Sequence, residues 1–235
     1  MTSNISLSMI KVAIDDLYLL AGATFPTSRC SIAPLGELVG AFNLACKELS
    51  QLTQRAAMHY LAQQGGIIEP PETQEQEPLA SFLYVNTHYG CIFAEQDDPL
   101  VRRRFSVAHE LGHYLLHFRP LLKVAERDQE YLEITESLRL ADDTQDVTSG
   151  QVALPGKFQI GANLPPYEQM EREANQFAAE LLMPADVVRG LFARLMLYLR
   201  EEDLVRRLAT EMLVSEESMS WRLKHLSLLP LPGDR

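Results

Sequence analysis

The sequence predicts an α+β fold that is mostly helical, with a small antiparallel β-sheet beside a long buried helix. Two segments, 79–86 and 90–94, are rich in β-branched and aromatic residues and are separated by Thr87-His88-Tyr89, which predicts two strands joined as a hairpin. Elsewhere apolar residues recur mainly at helical spacing. We expect three regions, an N-terminal helical region (1–78), a core (79–190) and a helical C-terminal subdomain with helix-turn-helix-like spacing (191–235).

The N-terminal region is predicted to contain two helices. Residues 10–20 form a short amphipathic segment that ends near Gly22, and residues 37–64 carry apolar side chains at helical spacing up to Gly65-Gly66. The Pro/Glu/Gln-rich stretch 69–78 is typical of an exposed connector.

A long helix follows the predicted hairpin. Asp98 is expected as its N-cap, Pro99 as its first residue and Pro120 as its stop. Apolar residues surround this helix, so we expect it to be largely buried. Downstream, 122–139 has helical character, and 141–150 is rich in Asp, Thr, Gln and Ser.

The C-terminal third is predicted to form a series of amphipathic helices. The first spans about 167–183 before Pro184, two more cover 185–200 and 201–213, and the last begins with Ser215 as its N-cap. Residues 119–166 form a long insertion between the two most strongly patterned helices, and such segments are often lids, binding loops or disordered inserts.

The motif His109-Glu110-Leu111-Gly112-His113 lies within the long predicted helix. Residues four apart on a helix share one face, so His109 and His113 can offer two imidazole nitrogens to one Zn²⁺. Glu110 lies beside them, where its carboxylate can act as a general base without binding the metal. Ionisable side chains on an apolar helix are costly unless a metal or partner satisfies them, which favours a metal site over a chance pattern.

Catalytic zinc usually has three protein ligands. His117 lies two turns from His109, about 12 Å along a straight helix, which is too far for a shared ion. The remaining candidates are carboxylates on the facing helix. Glu171, Glu173 and Glu180 are all available there, and helical periodicity does not choose between Glu171 and Glu173.

These residues resemble the ImmA/IrrE family of bacterial zinc metallo-endopeptidases, which have a zincin-like fold. The resemblance rests on 103–117, 171–184 and the weaker block 208–229. It implies that the glutamate directly before Ala-Asn, here Glu173, is the third zinc ligand. The stretch between His113 and Glu173 is longer than is usual in that family, which bears on access to the cleft.

The resemblance also implies a function. We expect a zinc-dependent endopeptidase in which Glu110 transfers protons and an additional donor stabilises the developing oxyanion. Candidates for that donor, by residue type alone, are His88, Tyr89, Tyr114 and His117. The implied substrate is a helix-turn-helix transcriptional repressor, cut to switch on stress-response or mobile-element genes.

Two alternatives remain at this point. In the first, the chain is a non-catalytic zinc-binding regulatory module or a toxin-like partner of a helix-turn-helix regulator. In the second, its C-terminal helices bind DNA through Arg222, Lys224 and His225. The net charge of −11 argues against direct nucleic-acid binding. Three cysteines without metal-ligand spacing, no recognisable secretion signal and no membrane span lead us to expect a cytoplasmic protein.

Overall fold

The computed structural model describes residues 5–65, 77–139, 151–153 and 164–229. Helix α1 (Leu7–Ala21) begins after Ser6, whose side chain accepts a hydrogen bond from the N–H of Met9. It ends at Gly22, which has a positive φ of 62° and closes the last turn through its N–H. The predicted short helix ending at Gly22 is therefore confirmed.

The sheet formed by the described residues has five strands in the order β1-β3-β2-β4-β5. Strands β2 (Leu79–Asn86) and β3 (Gly90–Glu95) form the predicted antiparallel hairpin. The sheet is mixed because β1 (Leu44–Leu49) runs parallel to β3. Strands β4 (Glu133–Arg139) and β5 (Gln151–Ala153) extend the other side in antiparallel pairs.

The prediction of one helix over 37–64 is wrong. Helix α2 (Leu35–Gly40) and helix α3 (Gln54–Gln63) flank β1. At the start of β1, Leu44 lies beside Gly90 of β3, and a Cβ atom on Gly90 would come within 2.5 Å of Leu44 Cδ2. Pairing with β3 at this close approach therefore outweighs the local helical pattern.

The long helical segment starts later and continues further than the sequence predicts. Helix α4 (Leu100–His113) has Pro99 at its N-cap, and no side chain caps it, so Asp98 does not have the predicted role. A π-helical turn (Tyr114–Phe118) leads directly into α5 (Arg119–Arg127). Pro120 lies in the first turn of α5, where its missing N–H is tolerated, so it does not stop the segment.

The predicted helical character of 122–139 holds only as far as α5. Beyond it, Leu132, Ile134 and Leu138 are buried at alternate positions, which is the spacing of a strand. Glu136 occupies the remaining buried position in this series and obscures the alternation in the sequence. The predicted loop at 141–150, and most of the predicted connector at 69–78, lie outside the described residues.

The C-terminal helices follow the prediction closely. They are α6 (Tyr167–Leu182), α7 (Ala185–Leu195), α8 (Glu201–Met212) and α9 (Glu216–His225). Ser215 caps α9 by accepting a hydrogen bond of 3.0 Å from the N–H of Ser218. One apolar cluster joins α1, β2, α4, α6 and these last helices. The boundaries expected between the three regions of the chain stay a prediction. None of the helices in the described ranges has the length and apolarity needed to cross a membrane.

Candidate metal centre

Helices α4 and α6 cross at Gly112, within the His-Glu-x-x-His motif. A Cβ atom on Gly112 would lie 3.1 Å from Phe177 Cδ1 and 3.2 Å from the Cα of Ala174. The two backbones therefore approach so closely that a Cβ atom at position 112 would fit only if Phe177 or Ala174 shifted slightly. This close crossing brings the inward side chains of both helices together.

Three ligand atoms converge at the crossing. The Nε2 atoms of His109 and His113 are 3.0 Å apart. Glu171, on α6, places Oε1 2.9 Å from His113 Nε2 and Oε2 3.6 Å from His109 Nε2. Both histidines are fully buried and Glu171 is 5% exposed. One ligand atom from each residue lies within 4.8 Å of the other two, which is close enough to share one ion.

The structure corrects the expectation that Glu173 is the third ligand. Glu173 Oε2 lies 3.0 Å from His117 Nε2, and its Oε1 accepts hydrogen bonds from the N–H of Ile5 and from Gln169. Residues two apart on a helix point in nearly opposite directions, so Glu171 and Glu173 cannot both face the histidine pair. The third candidate, Glu180, forms an ion pair with Arg222.

Asn175 orients His109. Its side-chain oxygen lies 3.0 Å from His109 Nδ1, so that nitrogen carries the proton and Nε2 offers its lone pair to the site. Glu171 and Asn175 are four residues apart on α6, just as His109 and His113 are on α4. This i, i+4 spacing places Glu171 and Asn175 on the same face of α6, against the two histidines.

The chemistry of the three side chains fits a divalent cation. Burial, together with the neighbouring His113, lowers the pKa of His109 to about 3. Burial also lowers the pKa of His113 well below its usual value, so both rings are neutral and able to bind a metal. Glu171 Oε1 accepts no hydrogen bond from any described residue, and a buried carboxylate in that state requires a counter-charge. Two imidazoles and one carboxylate form a common catalytic zinc set.

Glu110 is fully buried beside this centre and accepts a hydrogen bond of 2.6 Å from Ser81 on β2. Burial raises the pKa of Glu110 to about 7, while its hydrogen bonds with Glu136 and Ser81 act in the opposite direction. Burial and the charge of Glu110 raise the pKa of Glu136 well above its ordinary range. Glu110 is thus poised to exchange a proton near neutral pH.

Tyr167, at the start of α6, is a further polar group near the centre. Its hydroxyl lies 3.4 Å from Glu136 Oε1 and also interacts with Glu171. Sequence reasoning missed Tyr167, Ser81 and Glu136. The signal for Tyr167 is its position four residues before Glu171 on the same helix face.

The four residues that were candidate oxyanion donors by residue type make contacts other than the predicted one. His88 and Tyr89 form the β2–β3 turn, where their N–H groups donate to Asn86. The Tyr114 ring packs edge-on against Phe42. His117 lies against Glu173 and is not a fourth ligand candidate, in agreement with the distance argument from the sequence.

A protein-family model matches residues 67–139 and 154–224 of the chain. The matching model is Peptidase_M78, described as the IrrE N-terminal-like domain. Its two segments include α4 and α6 and every residue assigned above to the metal centre. A search of curated proteins gave no match.

Proposed function

Because the chain belongs to the IrrE N-terminal-like family of peptidases, Peptidase_M78, we propose that it is a zinc-dependent endopeptidase. The observation that carries this proposal is the convergence of His109, His113 and Glu171 on one point beside Glu110. His109, His113 and Glu171 would hold the zinc. When bound, zinc supplies Lewis acidity, which polarises a peptide carbonyl and makes water a better nucleophile at neutral pH.

The residues around the centre would transfer protons, position the base and stabilise the developing charge. Glu110 takes a proton from the attacking water and later delivers it to the leaving amine. Ser81 holds the Glu110 carboxylate in place through its hydroxyl. We assign the Tyr167 hydroxyl, which contacts Glu136 and Glu171, as the donor for the carbonyl oxygen as negative charge develops on it.

The test is Glu110→Gln, which keeps the shape of the side chain but removes its ability to accept a proton. We expect cleavage to fall by about two to four orders of magnitude, while zinc content and thermal stability stay close to wild type. Cleavage is measured by quantifying new N-termini in a cell extract incubated with either protein. Retention of full activity by the variant would rule out Glu110 as the base.

We further propose that the substrate is a helix-turn-helix repressor, whose cleavage induces stress-response or mobile-element genes. The resemblance to the ImmA/IrrE peptidases supports this proposal, and the net charge of −11 suits a basic DNA-binding substrate. The same extract experiment tests it, because new N-termini should map to a regulator and be absent with Glu110→Gln. The competing proposal, a non-catalytic zinc module, predicts that the two proteins give identical extracts.

A further inference from the structure

Strand β2 borders the metal centre and has both of its sides paired. Ser81, in β2, holds Glu110, so β2 is the strand directly connected to the proposed base. One side of β2 pairs with β3, and the other pairs with β4. The pairing with β4 is antiparallel and runs from Leu79 opposite Arg139 to Asn86 opposite Glu133. An extended peptide added to this side of β2 would need the same backbone groups.

The inward side of β4 contacts the centre itself. Glu136 lies opposite Leu83 in the register, between the buried side chains of Ile134 and Leu138. Glu136 is fully buried and forms a side-chain contact with Glu110. A single carboxyl group within an otherwise apolar strand face therefore lies against the proposed base. A peptide that paired with this side of β2 would therefore displace β4 and Glu136.

The centre is closed in this conformation. His109, Glu110 and His113 are each 0% exposed, and Glu171 is 5% exposed. A peptide bond can be hydrolysed only if it reaches the metal ligands and Glu110. With β4 on β2 and Glu136 against Glu110, that approach is blocked from the side of the sheet.

We infer that β4 is a substrate-like strand of the protein itself, which keeps the centre closed until a protein substrate displaces it from β2. This inference rests on the proposed peptidase function, because it assumes that an extended peptide uses the β2 edge. It makes β4 an internal competitor of the substrate. The apparent affinity for an active-site ligand then equals its intrinsic affinity multiplied by the fraction of molecules in which β4 is displaced.

The test is a reversible covalent lock between β2 and β4. Phe82 lies opposite Ser137 in the register, on strand positions that alternate with those facing Glu110. Phe82→Cys with Ser137→Cys, in a background of Cys30→Ser, Cys46→Ser and Cys91→Ala, forms the lock when oxidised. Tyr84→Cys with Thr135→Cys provides a second lock, in case the loss of Phe82 prevents folding. The reduced form of each variant is its own control.

The probe is a zinc-loaded protein titrated with a peptide hydroxamate, followed by calorimetry. We expect oxidation to weaken binding by about ten-fold or more, dithiothreitol to restore it, and zinc content to stay constant. Equal affinity in the oxidised and reduced states, or no binding in either, overturns the inference. If binding depends on the lock but the Glu110→Gln comparison reveals no cleaved protein, β4 closes the centre and the peptidase proposal fails.

Discussion

Glu171 and Asn175 on α6 mirror His109 and His113 on α4, since each pair is spaced by one helical turn. Glu171 faces the imidazole nitrogens that a metal would bind, and Asn175 holds the far nitrogen of His109. A metal-binding histidine is usually fixed by a hydrogen bond on its other ring nitrogen. The facing helix therefore supplies both a ligand and the group that orients a ligand.

Asn175→Ala removes the partner of His109 Nδ1 and tests that arrangement. We expect zinc affinity, measured by titration against a chelator, to fall by about 10- to 100-fold. Gln176→Ala is the matched control, because it removes the neighbouring amide from an exposed position on the same helix. An unchanged affinity in Asn175→Ala would mean that Asn175 does not orient the ligand.

At the residue scale, the sequence identifies His109, Glu110 and His113 because helical spacing alone places them on adjoining faces of one helix. It does not identify the third ligand, because Glu171 and Glu173 flank the apolar stripe of α6 on opposite sides. The resemblance selected Glu173 from its place before Ala174-Asn175. The structure selects Glu171, because the crossing with α4 decides which side of α6 faces the histidines.

Gly112 lies at the close approach of α4 and α6. Gly112→Ala would push its new methyl group against Phe177 and the backbone of Ala174. We expect a loss of about 1–3 kcal/mol in the free energy of unfolding, together with weaker zinc binding because the ligands on the two helices move apart. Urea denaturation and a chelator titration measure the two effects.

The control for this prediction is Gly190→Ala, in the middle of α7. Among the residues that the structure describes, nothing outside its own helix lies within 4 Å of where its Cβ would be. There the change should be neutral or should stabilise the protein by about 0.5–1 kcal/mol. If both glycine variants behave alike, the close crossing at Gly112 is not what positions the ligands.

At the element scale, the sequence predicts α1 and the helices after Pro166, whose apolar residues follow a helical period. It also predicts the fully buried β2–β3 hairpin, whose strands are rich in β-branched and aromatic residues. It fails for β1 and β4. Four of the six residues of β1 are exposed and their apolar spacing resembles a helix, so only pairing with β3 makes it a strand. In β4 the buried Glu136 interrupts the apolar alternation, and no local pattern explains a carboxyl group at that position.

At the scale of the whole molecule, Arg222 joins the C-terminal helices to the metal-binding helix. It is largely buried, forms an ion pair with Glu180 of α6, and donates a hydrogen bond of 2.9 Å from Nε to the carbonyl oxygen of Met183. This residue was a candidate for contacting DNA. Its burial against α6 makes it a structural link and weakens the DNA-binding alternative.

Arg222→Ala leaves Glu180 buried without its main partner. We expect the free energy of unfolding, measured in urea, to fall by about 3–5 kcal/mol. Arg206→Ala is the matched control, because Arg206 pairs with Glu216 between α8 and α9 at the surface. That change should cost about 0–1 kcal/mol. Similar losses in the two variants would contradict the role assigned to Arg222.

In the arrangement proposed here, His109, His113 and Glu171 hold one metal ion. The most direct measurement is the zinc content of purified wild type, Glu171→Ala and Glu173→Ala by elemental analysis, with circular dichroism to verify folding. We predict near-stoichiometric zinc in the wild type and loss of zinc in Glu171→Ala. Glu173→Ala should retain most of the metal, because it disturbs only the contact with His117 and its neighbours. Zinc retained by Glu171→Ala and lost from Glu173→Ala would contradict the assignment, and folded wild type without affinity for zinc would contradict the metal centre itself.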